Sequence, residues 1–499
     1  VVVAVSALIA LALVSPLGLL VWDAHQTGWA EIHRVLFRER SWYLLRHTVT
    51  LMVLVVALAA TIGVAVAWLT ERTSLPGRRV WTALLVLPLA MPDFVVGFAW
   101  HSVAPRLNGL FAATLVMTLG TYPLVQLPVA AALRRTDPAM EDTARSLGAS
   151  RSKAFFRVTL PLLRPAILGG SVLVALTVIS EYGAFEILRY QTFTTEVFGE
   201  FQIDPRAAVP LAVPLVIIGL LVLLVEVMVP RRVAHSLAAH QNPRRADLGR
   251  ATGPALAFVS ALVAVGVGMP IGTLVYWIVR AQHTTFSTAA TLGGATWTTV
   301  TYSAWGALVA VAAALPVAML SHRRASMGRR LLERSTFVTK ALPGVVVALS
   351  LVFFATHYAY GLYQTSYLLV AAYAVLNFPL ALVCVKTSVA QAPVRLSDVG
   401  RSLGRGPVSV FVRVTLPLLV PGLLAGFCLV FLTAVTELTA TLVLAPIGVK
   451  TLATQFWASQ GEFAYSQAAP YALIIILIAV IPGAFVGLWF DRERRTAAA

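Results

Sequence analysis

"RSLGASRSKAFFRVTLPLLRP", residues 145–165, returns as "RSLGRGPVSVFVRVTLPLLVP" at residues 401–421, with 13 of the 21 positions identical. Both copies are basic and punctuated by glycine and proline, in a chain that is otherwise mostly apolar. The offset of 256 residues extends outward: Pro123 meets Pro379, and Glu181 meets Glu437. Further upstream the offset becomes 251, pairing "TVT" at Thr48 with "TVT" at Thr299 and "GRR" at Gly77 with "GRR" at Gly328. Self-similarity at a fixed distance marks a duplication. The chain reads as two tandem copies of one unit.

What surrounds the repeated segment sets its environment. Of 499 residues, 59% are apolar and only 12% charged, whereas a soluble domain carries about 25% charged residues. Charge-free stretches such as Leu51–Leu69 are long enough to cross about 30 Å of hydrocarbon as a helix. This composition defines a polytopic membrane protein. The net charge of +17 follows topology: with the segment before Val1 inside, 29 of the 38 Lys and Arg fall in loops on that side. Such a bias places the basic loops in the cytoplasm and removes the case for nucleic acid. Cys384 and Cys428 lie in apolar runs without disulfide or zinc spacing.

Hydropathy predicts an all-α protein of about 12 transmembrane helices, six per copy. In the first they fall near 1–22, 44–69, 80–103, 110–133, 166–188 and 208–229. In the second they fall near 252–279, 297–320, 336–358, 364–386, 421–444 and 468–490. The resulting domains are a first unit at 1–230 with its basic loop at 134–165, and a cytoplasmic linker at 231–251. A second unit follows at 252–490 with its loop at 390–421, then a cytoplasmic tail at 491–499. An even number of spans makes the copies parallel, related by a pseudo-twofold axis along the membrane normal, with both termini cytoplasmic. The first span has no small-residue cleavage site and reads as a retained helix, with a short cytoplasmic leader expected ahead of Val1.

The repeated segment falls between the fourth and fifth spans of each half, in the most basic cytoplasmic loop. Asp137 suits an N-cap, Pro138 the first helical turn and Gly148 a left-handed C-cap. Ser150 can cap a second short helix carrying Phe155 and Phe156, and Pro161 and Pro165 mark re-entry into the membrane. Two copies held in register point to a docking surface, because a loop with no partner is free to drift.

These residues resemble the coupling loop of bacterial ABC importer permeases, whose pattern is Glu-Ala-Ala, three residues, Gly, nine residues, Ile, one residue, Leu-Pro. Asp142, Thr143 and Ala144 stand in the Glu-Ala-Ala place, followed by Gly148, Val158, Leu160 and Pro161. In the second copy Asp398-Val399-Gly400 stand there, followed by Gly404, Val414, Leu416 and Pro417. Neither copy carries Glu-Ala-Ala itself. The resemblance covers both halves and implies a type I ABC importer permease fold. It also implies two copies of a separate ATPase subunit, with ATP and Mg held there, docked on the two loops. No cofactor is expected on this chain, and it carries no G-x-x-x-x-G-K-[ST] phosphate loop.

A fused pair of six-span units looks most like the ferric-iron permeases, with the thiamine permeases as runner-up. "ISEYGAFEILRYQTFTTEVFGEF" after the first loop and "VTELTATLVLAPIGVKTLATQFW" after the second are similar to segments that line the pathway in the ferric group. Glu181 and Glu437 lie within spans at matched positions, each followed fourteen residues later by a threonine, Thr195 and Thr451. An intramembrane carboxylate is costly and is by default a functional hypothesis, and carboxylates suit a hard cation. Glu181 and Glu437 are therefore candidate ligands of a transient metal site across the pseudo-twofold axis, with Tyr182 or Glu186 nearby. Solvation at the outer interface, or hydrogen bonding to local backbone, is the competing account of both. Asp93 is a further pathway candidate, matched by Gly344 in the second half, while Pro92 and Pro343 correspond.

The function expected is the permease of an ATP-driven ferric-iron importer in the bacterial inner membrane. It would be served by a periplasmic or lipid-anchored binding protein. Thiamine or a polyamine is the alternative cargo. A secondary transporter driven by an ion gradient is the alternative class, and it does not call for two matched coupling loops.

Overall fold

The computed structural model describes residues 2–137, 139–228, 246–281, 288–322, 335–336, 338–391, 402, 404 and 406–498. Its regular elements are helices, and the described residues add one isolated parallel bridge, Thr73 with Ala246. Among the described residues nine helices are long and apolar enough to cross a membrane, ten if one bent pair counts as a span. Two shorter apolar helices, Gly344–Tyr358 and Tyr465–Ile481, lie in further segments read as spans from hydropathy.

The helix Glu39–Arg72 shows why these segments hold together. It opens on an acidic residue and closes on Arg72, the polarity that complements the helix dipole. Its buried residues, among them Leu44, Thr48, Leu51, Val55, Ala59 and Gly63, recur every three or four positions and form one stripe.

Contacts divide the chain into two compact units that do not coincide with the sequence halves. One comprises residues 38–196 and 217–276, the other 1–37, 197–216 and 277–499. In the first, Glu39–Arg72, Gly109–Arg135 and Leu160–Ser180 pack together, joined by Ala264–Gly268 from the opening span of the second half. In the second, Ala289–His322, Ser366–Gln391 and Leu416–Val435 form the corresponding trio. Val2–Thr27, the opening span of the first half, packs on this trio and on Gly344–Tyr358. Leu13 there joins a core with Ala310, Ala314, Phe378 and Leu382, and the Ser350 hydroxyl donates to the Pro16 carbonyl at 2.9 Å.

Small residues set the helix spacing. A Cβ built on Gly63 would lie 2.9 Å from the Gln126 nitrogen and the Tyr122 carbonyl oxygen, and one on Gly170 would lie 2.7 Å from Val125 Cα. Close approach at glycine is how helices associate where lipid removes the hydrophobic drive. Gly170→Val is therefore expected to destabilise the unit by about 1–3 kcal/mol through overpacking against backbone. A lowered thermal midpoint in detergent would show this, whereas Gly169→Val, at a glycine facing open space, should cost little.

Proline breaks the helices where the sequence marks it. The expected continuous span at 80–103 is instead two segments, Arg78–Ala90 and Asp93–Val103, bent by 92°. Pro88 and Pro92 supply the reason, since neither has an N–H to continue the ladder. The second copy breaks alike, with a 3₁₀ turn at Val338–Ala341 and a new helix from Gly344 after Pro343. Three π-turns have a common cause as well: Phe155–Thr159, Phe411–Thr415 and Ala264–Gly268 each precede a proline, Pro161, Pro417 and Pro270. In each, the residue before proline donates five residues back, Leu160 to Phe155 for example. The proline ring crowds the carbonyl four residues upstream, and the widened turn relieves that clash.

Candidate functional site

The first basic loop folds as its sequence implies. The Asp137 carboxylate accepts from the Ala139 N–H at 2.9 Å and opens the helix Ala139–Ser146. Gly148, at φ +89°, closes it: the Ala149 N–H reaches the Ala144 carbonyl at 3.0 Å and the Gly148 N–H reaches Arg145 at 3.0 Å. That pair of bonds is a Schellman motif, which requires the left-handed conformation glycine adopts freely. Ser150 accepts from the Lys153 N–H at 3.3 Å, capping the return helix. Gly404 is also left-handed, φ +78°, and Leu416 and Pro417 follow their π-turn as Leu160 and Pro161 do. Asp398 lies outside the described residues.

The loop's two faces differ. Asp142 and Thr143 are exposed, Asp142 lying 3.5 Å from Arg145 one turn on, while Ala144 is half-buried. Met140 and Leu147 present apolar side chains outward, 51% and 83% exposed. Glu141 turns inward and accepts from the Thr159 hydroxyl at 3.1 Å, tying the helix to the re-entering π-turn. Asp142 thus lies on the exposed face, while the acidic residue that holds the loop to the bundle is its neighbour Glu141.

At the other end of the fifth span, the expected helices at 166–188 and 421–444 are not continuous. Leu160–Ser180 stops at Glu181 and a short helix, Gly183–Ile187, follows. Leu416–Val435 stops before Glu437 and Thr439–Leu444 follows. Each glutamate caps the short helix: Ala184 N–H donates to Glu181 Oε1 at 2.8 Å, and Ala440 N–H to Glu437 Oε1 at 3.0 Å. Both side chains remain half-buried, beside a buried Tyr182 in the first case. The local backbone bond anticipated as the competing account is present, and it occupies one oxygen of each carboxylate.

The broken third span supplies the neighbour of each glutamate. Asp93 opens Asp93–Val103, its Oδ1 resting over Gly120, where a built Cβ would lie only 2.2 Å away. Its carboxyl is near enough to Glu181 for the two to interact electrostatically. At the matching position Gly344 sits against Glu437, a built Cβ falling 3.1 Å from Oε1. The first half thus carries a carboxylate pair where the second carries one carboxylate and a glycine. Among the described residues no group of three or more His, Cys, Asp or Glu is placed to hold a metal ion.

Thr195 and Thr451 are buried and act on backbone. The hydrogen bonds also correct their pairing. Thr192 and Thr195 cap one helix start, Phe193–Ile203, reciprocally (Thr192 N–H to Thr195 Oγ1, 2.9 Å), as Thr451 and Thr454 cap Leu452–Gly461 (3.0 Å). Thr451 therefore corresponds to Thr192, an offset of 259, because the second loop has three more residues after its glutamate. Both helix starts dock on a buried threonine of the second span. Phe193 N–H donates to Thr48 Oγ1 at 3.1 Å and Leu452 N–H to Thr299 Oγ1 at 2.8 Å. Sequence comparison showed Thr48 and Thr299 only as repeat markers; the sign of their role was a hydroxyl kept on the buried stripe of an apolar helix. Arg40 adds a fork on Glu196 at 3.0 and 2.6 Å. Thr299→Val leaves the Leu452 N–H without its acceptor and is expected to cost about 1–3 kcal/mol, read as a lower thermal midpoint that Thr299→Ser largely restores.

An apolar, all-helical chain built as a tandem repeat, with nine or ten candidate spans among its described residues, has the architecture of a membrane permease. The chain belongs to the family described as binding-protein-dependent transport system inner membrane component, which matches residues 59–235 and 306–493. It is 35% identical, over 95% of both chains, to the Fe(3+)-transport system permease protein FbpB 2 of Haemophilus influenzae. It is 29% identical over 35% of its length to the molybdenum transport system permease protein ModB of Escherichia coli, covering 80% of that protein. It is 30% identical over 35% of its length to the sulfate transport system permease protein CysT of Salmonella typhimurium, covering 69% of that protein. The chain is thus a multi-pass inner-membrane permease component of an ABC importer. ATP hydrolysis falls to partner subunits, and a binding protein delivers the cargo.

Proposed function

We propose that this permease imports ferric iron. The observation that carries the reading is the likeness to the Haemophilus permease along 95% of both chains; the relatives named for molybdenum and sulfate match about a third of this one. The chemistry agrees, because half-buried carboxylates at Glu181, Glu437 and Asp93 suit a hard cation and repel an oxyanion. In this reading the chain has twelve spans in two parallel units with both termini cytoplasmic. Two ATPase subunits, holding ATP and Mg, dock on residues 134–165 and 390–421, meeting Asp142, Thr143, Ala144 and the Gly148 turn in the first and Asp398 and Gly404 in the second. Their closure around ATP moves the loops and opens the bundle outward to a periplasmic or lipid-anchored binding protein. Glu181 and Glu437 each serve as a transient carboxylate ligand of the ion along the pathway, with Asp93 and Tyr182 as further pathway residues beside Glu181. Thr195 and Thr451 serve the pathway by fixing the short helices at its mouth.

The test is ATP hydrolysis and labelled-iron uptake by the chain in lipid with its ATPase and binding protein, the latter empty, ferric-loaded or thiamine-loaded. Stimulation by the ferric form alone supports the assignment. Stimulation by the thiamine form alone overturns the cargo and leaves the permease standing.

A further inference from the structure

We propose that Arg72 is the positioning residue of the first coupling loop and that the segment joining the two halves is anchored on the same residue. Arg72 is the last residue of Glu39–Arg72 and is buried, 8% exposed. Its Nη2 donates to the carbonyls of Leu133, at 3.1 Å, and Thr136, at 2.9 Å. These close the helix Gly109–Arg135, where the last carbonyls have no donor within the helix. A guanidinium there also meets the negative end of the helix dipole. Arg134 answers from the opposite side, bonding Glu71 at 2.6 Å, so the cytoplasmic ends of the second and fourth spans are cross-tied.

Thr136 is the residue before Asp137, which caps the coupling helix. Arg72 thus fixes the point where the loop leaves the bundle, and its charge faces Glu141, Asp137 and Glu71. Glu141 in turn holds the returning π-turn through Thr159. The backbone of the same arginine carries the linker: Ala246 N–H donates to the Arg72 carbonyl at 2.9 Å, and Ser74 N–H to the Ala246 carbonyl at 3.1 Å. Ser74 Oγ reaches Asp247 at 3.3 Å. A buried cation is tolerated only where it is bonded, and both bonds of the Arg72 Nη2 hold the root of the loop, while its buried Nε has no partner among the described residues.

The test compares wild type, Arg72→Met and Arg72→Lys in lipid nanodiscs by amide hydrogen exchange, then by affinity for the ATPase subunit. Exchange across 137–148 is expected to rise about tenfold in Arg72→Met and about threefold in Arg72→Lys, which keeps the charge but not the length and planar geometry that bring Nη2 to both carbonyls. Exchange across 393–404, the second loop, should stay at the wild-type rate. Wild-type exchange at 137–148 in both variants, or a rise of both loops together, would overturn the proposal. If Arg72→Met does not fold, Arg72→Lys carries the comparison. The consequence for ATPase docking rests on the coupling-loop reading, whereas the exchange measurement does not. Faster exchange with unchanged ATPase affinity would fault that reading and leave Arg72 in its role.

Discussion

Glu181→Gln and Glu437→Gln together are expected to reduce labelled-iron uptake at least about tenfold, a loss of roughly 1.4 kcal/mol or more in the transport step, with the yield of assembled complex retained. The geometry separates the two jobs of each carboxylate. Glutamine keeps a side-chain oxygen able to accept from the Ala184 or Ala440 N–H, so the short helix stays capped. What it loses is the charge offered to a cation. Alanine loses both, and each alanine variant should also lower stability by about 1 kcal/mol, the worth of a helix cap. The halves should respond unequally. Glu181→Gln leaves Asp93 beside it, whereas Glu437→Gln leaves Gly344, so the second single variant should be the more damaging. Uptake at the wild-type rate in the double glutamine variant would reduce both residues to caps.

The second large effect is expected at the loop turns. Gly148→Val places a β-branched residue at φ +89°, where strain costs about 1–3 kcal/mol. It should unravel the Schellman turn that ends Ala139–Ser146. Since Met140, Asp142 and Leu147 are exposed on the helix and turn that Gly148 closes, ATPase-subunit affinity should fall at least about tenfold. Asparagine tolerates the left-handed region, so Gly148→Asn should stay within about threefold of wild type. The same pair of substitutions at Gly404, φ +78°, reports the second loop, and valine at both positions should abolish assembly. Binding titrations with the ATPase subunit decide this, and an unaltered affinity in Gly148→Val would sink the docking role.

How much of this was legible in the residues depended on whether the cause was local. Asp137, Gly148 and Ser150 could be read from sequence because caps and left-handed stops involve only neighbours in the chain. Glu181 and Glu437 stood out because a carboxylate in an apolar stretch is costly anywhere. Their capping of a new helix was less visible, since the flanking helix segments are both apolar, no proline lies at either break and only the first has a glycine, Gly183. The threonine pairing failed for a related reason. A fixed offset assumes equal loop lengths, and the three extra residues after Glu437 displaced Thr451 from Thr195 to Thr192.

The sequence by itself determined the membrane class, the duplication and the left-handed glycines of the two repeated segments, all of which follow from hydropathy, register and local backbone preference. Tertiary structure alone decided which helices share a unit, so that Val2–Thr27 packs with the later trio and Ala264–Gly268 with the earlier one. It also decided that Asp93 lies within electrostatic range of Glu181, that Thr48 and Thr299 receive the helix starts, and that Arg72 bonds the carbonyls of Leu133 and Thr136. Each of these joins residues far apart in the chain. An apolar helix in lipid can present any face to any neighbour, and only close packing at small residues and the need to satisfy buried polar groups select among them.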